Sequence, residues 1–347
     1  MHGLPLTGLA RLPLVAAVAL STAALATPTS ASAEACSMRV LQAGFYAHFS
    51  PVSYSANREP GTAGFDLHRG YEADLLTALE AMEGAGISFE RRGIAEWDGI
   101  WLRSAGAEFD LVGGGITILA SRTRDASGAT RVTFTPGHVE FRQSLLVRSA
   151  DARRLAAYGD LTADLRVGVL AATTGEARLL QIVGLSDQAG VLADGTHVEK
   201  PSGTVTADGS DRYTIRPSGA SPAVADRRRI VPPVNGMPQV IVYGDDASEQ
   251  TLLDALRTGE IDALARGMVG NRYAADASGG DFTVTALDSA IELGGFTLCA
   301  DEQELADCIG AKIDWLTDGG RIGYSDWIDD PEVFLDRARI WRPGNAY

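Results

Sequence analysis

Residues 109–122 read FDLVGGGITILASR. The largely apolar run from Phe109 to Val112 predicts a buried strand, and three successive glycines follow it. Open α/β sheets bind ligands at the carboxyl ends of their strands, where a Gly-rich turn brings the backbone close to the ligand. Thr117 and Arg122 follow this turn, and the planar guanidinium of Arg122 suits a carboxylate. The stretch therefore predicts an α/β fold with an anion site, although Arg122 also fits the cap of a surface helix.

Strand and helix patterns alternate on both sides of this stretch. Apolar residues at helical spacing predict helices, and short apolar runs predict the strands between them. The predicted strands are residues 38–44, 87–91, 109–114, 165–170, 239–243 and 261–265, and the predicted helices are residues 71–82, 99–105 and 249–257. The order of strand, helix and strand implies parallel strands with helices packed on the faces of the sheet. Two such blocks predict two α/β lobes.

Two extended apolar segments, residues 140–148 and 293–298, lie between the blocks and predict connecting strands. They divide the chain into a first lobe, residues 38–139 and 297–347, and a second lobe, residues 140–296. The chain would then cross between the lobes twice, once at each connecting strand.

Residues 184–238 differ from the rest of the second lobe because they are rich in Gly, Pro, Ser and Thr. Turn signals occur at Asp194-Gly195 and Asp208-Gly209, with short alternating runs nearby. We expect one or two surface hairpins inserted into the second lobe, and a disordered loop is the alternative. No function can be assigned to this insertion from its sequence.

The charge balance excludes several kinds of partner. The chain carries 30 Lys and Arg against 45 Asp and Glu, a formal net charge of -15. Such a chain repels nucleic acid and anionic membrane surfaces, so neither is predicted as a partner. An anionic ligand would have to be held by a local arginine. The five histidines are scattered, with none at metal-ligand spacing, so no metal or cofactor is predicted.

The amino terminus has the pattern of a secretory signal peptide over residues 1–33. Arg11 precedes an apolar run at residues 12–26, and Ala31-Ser32-Ala33 is a small-residue cleavage site. The apolar run is too short for a permanent membrane span. We therefore expect a soluble periplasmic protein. Lipid attachment at Cys36 is the rival interpretation, but Glu34 places a charge where lipoprotein signals have small neutral residues.

Three cysteines in an exported chain predict one disulfide and one free thiol. Cys299 and Cys308 are the favoured pair, because they flank a short acidic segment that can turn a strand into a helix. No Cys-x-x-Cys pair is present.

Eight short motifs occur in an order and spacing that resemble one family. They are GYEADL at 70–75, EWDG at 96–99, GITILASR at 115–122, FTPG at 134–137, SLLV at 144–147, VGVLAATTG at 167–175, GEIDA at 259–263 and GG at 319–320. The chain resembles the amino-acid-binding family, known as family 3, of bacterial extracellular solute-binding proteins of ABC transporters. The resemblance runs from residue 38 to about 327, except for the insertion. It implies the two-lobed periplasmic-binding-protein fold of type II, with two hinge strands.

The resemblance also implies roles for particular residues. Arg122 matches the arginine that clamps the ligand α-carboxylate, with Thr117 and the backbone near Gly115 beside it. Thr173 and Thr174 match the contribution of the second lobe, where amides at a helix start close over the same carboxylate. The resemblance thus predicts one carboxylate held from both lobes.

Two aromatic residues fall where the family places the walls that sandwich the ligand. They are Phe49, in Phe49-Ser50-Pro51, and Trp97. An aromatic side chain is more often part of a core than of a ligand site, but the matching positions favour the ligand-binding role.

The sequence departs from the family at residues 266 and 267. The family has an aspartate that pairs with the ligand ammonium where this chain has Gly267, preceded by Arg266. The carboxylate is then supplied elsewhere, or the ligand lacks an ammonium group and presents a second negative group to Arg266. A solvent-facing Arg266 is the third interpretation. The candidate substitutes for the missing carboxylate are Glu140, Asp245 and Asp246.

The resemblance implies a monomeric receptor that captures a small carboxylate-bearing or amino-acid-like solute and delivers it to an ABC permease. Two alternatives stay open. Exported cyclohexadienyl or arogenate dehydratases share this fold, but they carry a glutamate shortly after the second-lobe aspartate. Residues 266–270 read RGMVG and contain no acid, so no enzyme activity is expected. A detached sensory ligand-binding domain is the other alternative.

Overall fold

The computed structural model describes residues 39–234, 236–244 and 247–343. The predicted signal peptide, Cys36, Asp245 and Asp246 lie outside the described residues. In the described part of the chain, no helix is long and apolar enough to cross a membrane.

Strands and helices alternate along most of the described chain. The strands are β1 (Arg39–Tyr46), β2 (His48–Phe49), β3 (Ser53–Ser55), β4 (His68–Arg69), β5 (Ile87–Ile94), β6 (Leu111–Gly113), β7 (Val132–Phe134), β8 (Val139–Phe141), β9 (Gln143–Arg148), β10 (Arg166–Leu170), β11 (His197–Lys200), β12 (Gly203–Thr206), β13 (Ile215–Arg216), β14 (Gly219–Ala220), β15 (Arg229–Val231), β16 (Gln239–Tyr243), β17 (Ala263–Gly267), β18 (Phe282–Leu287), β19 (Glu292–Gly294) and β20 (Thr297–Cys299). The α-helices are α1 (Tyr71–Ala81), α2 (Thr174–Ile182), α3 (Glu249–Thr258), α4 (Met268–Ala277), α5 (Gln303–Leu316), α6 (Tyr324–Asp329) and α7 (Val333–Ile340). The predicted helix at 99–105 is a short 3-10 helix at Ile100–Ala105.

The first lobe is built on a five-stranded sheet in the order β5-β1-β6-β20-β7. Its strands β5, β1 and β6 are parallel, and β20 joins the sheet antiparallel to β6. Helix α1 covers the sheet with the predicted apolar residues Leu75, Leu76 and Leu79, all buried. The alternation of strand and helix in this half of the sequence therefore leads to the expected layered arrangement.

The second lobe is built on an eight-stranded sheet in the order β12-β11-β15-β16-β10-β17-β9-β18. Strand β10 pairs in parallel with β16 and β17, and the outer strands are antiparallel. Valines of β10 are fully buried because this parallel strand is covered on both faces. Asp262 accepts a hydrogen bond from the Arg166 amide at 3.0 Å, so it has the structural role typical of an acid at a strand start.

Strands β8 and β19 connect the two lobes. They pair antiparallel, with Glu140 opposite Leu293. One strand leads from the first sheet into the second, and the other leads back. The two-lobed α/β fold with two hinge strands, predicted from the sequence, is therefore present.

The described residues of the insertion, 184–234 and 236–238, contain two hairpins. Strands β11 and β12 form one hairpin, and with β15 they extend the sheet of the second lobe. Strands β13 and β14 form a second, shorter hairpin. The hairpin interpretation of this segment is confirmed, and the disordered loop is wrong.

The predicted disulfide between Cys299 and Cys308 is wrong. Cys299 is a free thiol at the end of β20, whereas Cys308 takes part in a disulfide. Helix α5 carries Cys308 into the core, with 4% of its surface exposed. Cys299 stays at the lobe surface, where a hydrogen bond to Asp301 raises the pKa of its thiol.

Candidate functional site

A cavity of about 100 Å³ lies between the two lobes. It is large enough for several water molecules or a small organic solute, since one water needs roughly 10 to 15 Å³ by this measure. Eight of the nine residues predicted to bind ligand line it: Phe49, Trp97, Gly115, Thr117, Thr173, Thr174, Arg266 and Gly267. Arg122 is not among the lining residues. Sequence reasoning missed other lining residues, including Tyr46, His48, Phe141, Gln143, Glu249, Leu252 and Leu264.

Aromatic rings form much of the wall of the first lobe. Phe49 packs against Phe141 with ring centroids 5.9 Å apart, and Trp97 contacts Tyr46 edge-on at 5.1 Å. The indole nitrogen of Trp97 donates a hydrogen bond of 2.9 Å to the carbonyl of Ala172 in the second lobe. Trp97 is therefore both a wall of the cavity and a contact between the lobes.

The Gly-rich turn brings the backbone close to the cavity, but two of its amides donate to a carboxylate of the protein. Gly115 has a φ of +70°, and a Cβ there would lie 2.6 Å from the ring of Phe49, so only glycine fits. Its amide donates to Glu72 at 2.9 Å, and the amide of Gly114 donates to the same carboxylate at 2.7 Å. Glu72 is fully buried and also contacts His138 at 3.1 Å. The predicted approach of the backbone is present, but Glu72 accepts the Gly115 amide.

The start of helix α2 forms the wall of the second lobe. The hydroxyl of Thr173 caps the helix by accepting from the Glu176 amide at 3.1 Å, and it donates to the Leu170 carbonyl at 2.7 Å. The hydroxyl of Thr174 accepts from Gln143 at 3.0 Å. Both hydroxyls are engaged within the lobe, so the second lobe offers the cavity chiefly the amides of the first helical turn.

Two charged side chains, Arg266 and Glu249, line the cavity, and a third, Arg58, pairs with Glu249 beside it. Arg266 donates to Glu249 at 3.0 Å, and Arg58 of the first lobe donates to the other oxygen of the same carboxylate at 3.0 Å. Arg266 Nε donates to Asn271 at 3.2 Å. Its Nη2 atom is buried without a hydrogen-bond partner among the described residues. Arg266 thus lines the cavity, and among the described residues one of its nitrogens has no hydrogen-bond partner.

Glu249 is the acid nearest this site, and sequence reasoning missed it. Of the predicted substitutes for the missing aspartate, Glu140 is exposed on β8, and the two aspartates lie outside the described residues. Glu249 follows the N-cap residue Ser248, where an acid is usual because it complements the helix dipole. No local signal distinguishes it from such an acid.

Two further polar atoms at the cavity have no hydrogen-bond partner among the described residues: Gln143 Oε1 and His48 Nδ1. The amide nitrogen of Gln143 donates to Thr174 and to Glu292, which fixes the side chain. Burial and the nearby Arg58 lower the pKa of His48, so its ring is neutral at pH 7. The cavity is therefore lined by an arginine, an amide and a neutral imidazole, each with one polar atom that has no hydrogen-bond partner among the described residues.

Arg122 lies between the lobes but outside the cavity, and it is fully buried. Its Nη1 donates to the Thr117 carbonyl at 3.3 Å, and its Nη2 to the Ala172 carbonyl at 3.3 Å. Nε and Nη2 both donate to the carbonyl of Pro217, at 3.2 and 3.0 Å. The guanidinium also stacks over Trp101, with its carbon 4.5 Å from the ring centroid.

No carboxylate of the described residues pairs with Arg122. Burial lowers the pKa of its guanidinium to about 9, against the opposing effect of Glu292 and Asp98, so the side chain is still charged at pH 7. The hydrogen bonds to this charge therefore all come from carbonyl oxygens, and aromatic rings lie beside it.

Comparisons with known proteins add the fold but no family assignment. No protein-family model matches the chain, and no curated protein matches it. Among solved structures, an ancestral amino-acid-binding protein described as a precursor of cyclohexadienyl dehydratase is 17% identical, with a TM-score of 0.53 over 87% of this chain and 95% of that one.

Two other solved structures are similar at the same level. An ancestral arginine-binding protein bound to arginine is 17% identical, with a TM-score of 0.53 over 88% of this chain and 99% of that one. A substrate-binding protein of an ABC uptake transporter from Streptococcus pneumoniae, with bound histidine, is 15% identical, with a TM-score of 0.52 over 88% and 94%. These similarities establish the two-lobed fold of amino-acid-binding proteins for this chain.

Proposed function

We propose that this protein is a periplasmic solute-binding receptor that captures a small carboxylate-bearing solute, an amino acid or related organic acid, between its lobes and delivers it to an ABC permease. The observation that carries this proposal is a cavity walled by both lobes and lined by Arg266, Gln143 and His48, each of which has a buried polar atom without a hydrogen-bond partner among the described residues. Apolar walls with a few convergent polar groups are typical of sites for small ligands. The similar solved structures that bind arginine and histidine support the same role.

Contacts between the lobes supply the switch that such a receptor needs. Trp97 and Arg122 of the first lobe both bind the Ala172 carbonyl of the second, and Arg58 pairs with Glu249. A hinge rotation at β8 and β19 would break these contacts and open the cavity. Closure over a solute would then give the permease a shape to recognise.

A dehydratase is the alternative from another class, and the similarity to a precursor of cyclohexadienyl dehydratase is its support. Such chemistry needs a carboxyl group able to transfer a proton. Glu249 is the acid that lines the cavity among the described residues, and both of its oxygens accept from arginines. Each oxygen of this carboxylate already accepts a hydrogen bond from an arginine, so neither is free to reach a substrate, and binding is the better supported function.

A thermal-shift screen of amino acids and small organic acids tests the proposal, with calorimetry for each positive compound. A ligand present at one hundred times its dissociation constant stabilises the folded protein by about 2.7 kcal/mol. We expect at least one small carboxylate to do so, and we expect the radius of gyration in X-ray scattering to be smaller with that compound than without it. A screen without any stabilising compound would contradict the proposal, and turnover of prephenate or arogenate would favour the dehydratase.

A further inference from the structure

Of the two arginines predicted to bind the ligand, Arg122 has every guanidinium nitrogen hydrogen-bonded, whereas Nη2 of Arg266 has no partner among the described residues. We propose that the hairpin β13–β14 is a built-in occupant of the Arg122 site, so that the anionic group of the solute binds Arg266 instead. The inference deepens the function proposed above and rests on it. It also names a ligand class, a small monocarboxylic acid that carries a hydroxyl group instead of an ammonium group.

The turn of this hairpin brings the carbonyl of Pro217 onto the guanidinium of Arg122. That oxygen accepts from both Nε and Nη2, at 3.2 and 3.0 Å. A carboxylate oxygen would bind the same two nitrogens of an arginine fork. The hairpin carbonyl therefore takes the position of one oxygen of a bound carboxylate.

The hairpin is fixed to the second lobe and is not a loose surface loop. Ile215 and Val224, on either side of the turn, are fully buried in the core of that lobe. Arg216 donates to the Ala189 carbonyl at 2.9 Å, and the Thr214 amide donates to Ser221 at 3.1 Å. A rigidly held carbonyl competes with a ligand group without losing chain entropy at the moment of binding.

The Arg122 site leaves no room for a second acceptor. Each of the three guanidinium nitrogens already donates to a carbonyl, and the side chain is completely buried. Trp97 and Trp101 lie against the guanidinium, at 5.4 and 4.5 Å from its carbon. A solute in the cavity therefore does not reach Arg122 while the hairpin is in place.

The Arg266 end of the cavity has the opposite properties. Arg58 and Arg266 share the single carboxylate of Glu249, so this group of three side chains has a net charge of +1. A monoanion neutralises that charge. Arg266 lines the cavity, and a turn of its guanidinium would bring Nη2, which is buried without a partner among the described residues, to face the anion. The position of the charge thus predicts where the carboxylate of the solute binds.

The remaining lining residues select against an ammonium group. Both oxygens of Glu249 are occupied by arginines, and residue 267 is glycine. A zwitterionic amino acid has no net charge and leaves the charge of +1 in place, whereas a hydroxy acid neutralises it and still offers Gln143 Oε1 a hydroxyl donor. A small hydroxy acid therefore satisfies the cavity better than the amino acid of the same shape.

Matched pairs of compounds test this inference by calorimetry on the intact chain. The pairs are lactate with alanine, and 2-hydroxy-3-methylbutyrate with valine, which differ only in hydroxyl against ammonium. We expect at least one hydroxy acid to bind at least tenfold more tightly than its amino acid. Arg266→Gln should remove this preference, whereas Arg122→Gln should retain it even if closure of the lobes weakens all affinities.

A shortened hairpin lacking residues 217 and 218 tests the built-in occupant directly. We expect this variant to gain at least tenfold in affinity for valine, and we expect the gain to disappear when Arg122→Gln is added. Pro217→Ala is the matched control because it keeps the backbone carbonyl, and it should show no gain. If the shortened chain does not fold, the Arg266→Gln and Arg122→Gln comparison decides the question alone.

The outcomes separate this inference from the receptor function. The inference is overturned if amino acids bind the intact chain more tightly than the hydroxy acids and this binding is lost in Arg122→Gln. The proposed receptor function would still hold in that case. Binding of other screened compounds but of neither hydroxy acid also overturns the inference alone. Absence of binding by every screened compound contradicts the receptor function itself.

Discussion

Arg122 and Arg266 are both arginines predicted to meet the ligand, but their surroundings differ. Arg122 is fully buried and binds only carbonyls and aromatic rings. Arg266 pairs with Glu249, lines the cavity and keeps one donor unpartnered among the described residues. Every nitrogen of the first guanidinium is hydrogen-bonded within the protein, whereas among the described residues one nitrogen of the second has no partner.

The comparison teaches that a motif resembling a family does not by itself determine what its arginine binds. Arg122 lies in one of the stretches that resemble the family, yet a carbonyl from the insertion reaches it. Arg266 lies where the sequence departs from the family, yet it has the free donor. The ligand preference of such a cavity is therefore set by which segments surround each charge, and each prediction below changes one of those segments.

The largest effect is expected from Arg227→Ala, because Arg227 anchors the insertion that occupies the Arg122 site. Arg227 forms two hydrogen bonds to Glu176, of 2.6 and 2.5 Å, and both side chains are buried. Removing one partner of a buried ion pair leaves an uncompensated charge, which costs about 3 to 5 kcal/mol. We expect a loss of that size in the free energy of unfolding, measured by urea denaturation.

Arg229→Ala is the matched control, since Arg229 lies two residues away and pairs with Glu199 at the surface, at 3.6 Å. An exposed pair of this kind contributes about 0 to 1 kcal/mol. Equal losses of stability in the two variants would show that Arg227 does not anchor the insertion. The difference between the Arg122 and Arg266 sites would then have no explanation in how the insertion is held.

The fold followed from local patterns in the sequence. Helix α1 begins at the predicted residue and ends one residue early, and β16 has the predicted bounds. Strand β17 is different, because it was predicted at 261–265 and lies at Ala263–Gly267. Arg266 and Gly267 continue the strand by pairing with Ser144 and Gln143 of β9, a contact between distant segments that no local pattern contains.

The candidate site was predicted less completely for the same reason. The lining positions of Phe49, Trp97 and Arg266 follow from motif positions along the chain. The contact of Arg122 with Pro217 joins residues 95 positions apart, across an insertion whose fold had no motif to guide it. Glu249 was missed because its charge at a helix start has an ordinary local explanation.

Gly267→Asp sharpens the comparison by supplying the carboxylate that the Arg266 end lacks. A Cβ at Gly267 would meet nothing within 4 Å, and its φ of -53° suits any residue, so the substitution fits. An added aspartate makes the charged group neutral overall and offers a partner for an ammonium. A charge-assisted hydrogen bond contributes about 1.5 to 3 kcal/mol, so we expect calorimetry to show the preference shifting by that amount from hydroxy acid to amino acid.

Gly267→Asn separates charge from shape in this experiment. It has the same size and can hydrogen-bond, but it does not neutralise the two arginines. An equal shift with asparagine, or no shift with aspartate, would mean that the net charge of this group does not determine which solute binds.

The smallest effect is expected from Arg58→Ala. Arg58 crosses from the first lobe to Glu249, but 41% of its side chain is exposed, so solvent screens the pair. Removing it takes one positive charge from the group around Arg266 and one contact from the closed state. Both changes weaken binding of an anion, by about 0.2 to 1 kcal/mol, the range measured for exposed ion pairs. Calorimetry should show a few-fold loss of hydroxy-acid affinity that diminishes at high salt, because salt screens exposed charges.

The control for this substitution is Arg92→Ala, since Arg92 is equally exposed but pairs with Glu108 inside the first lobe, at 3.4 Å. It joins no contact between the lobes and should leave the affinity unchanged. If the two variants lose the same affinity, Arg58 affects binding only through the net charge of the protein. If only Arg58→Ala loses affinity, the Arg266 end of the cavity depends on a charge supplied by the opposite lobe, and a solute there would be bound by the closed form alone.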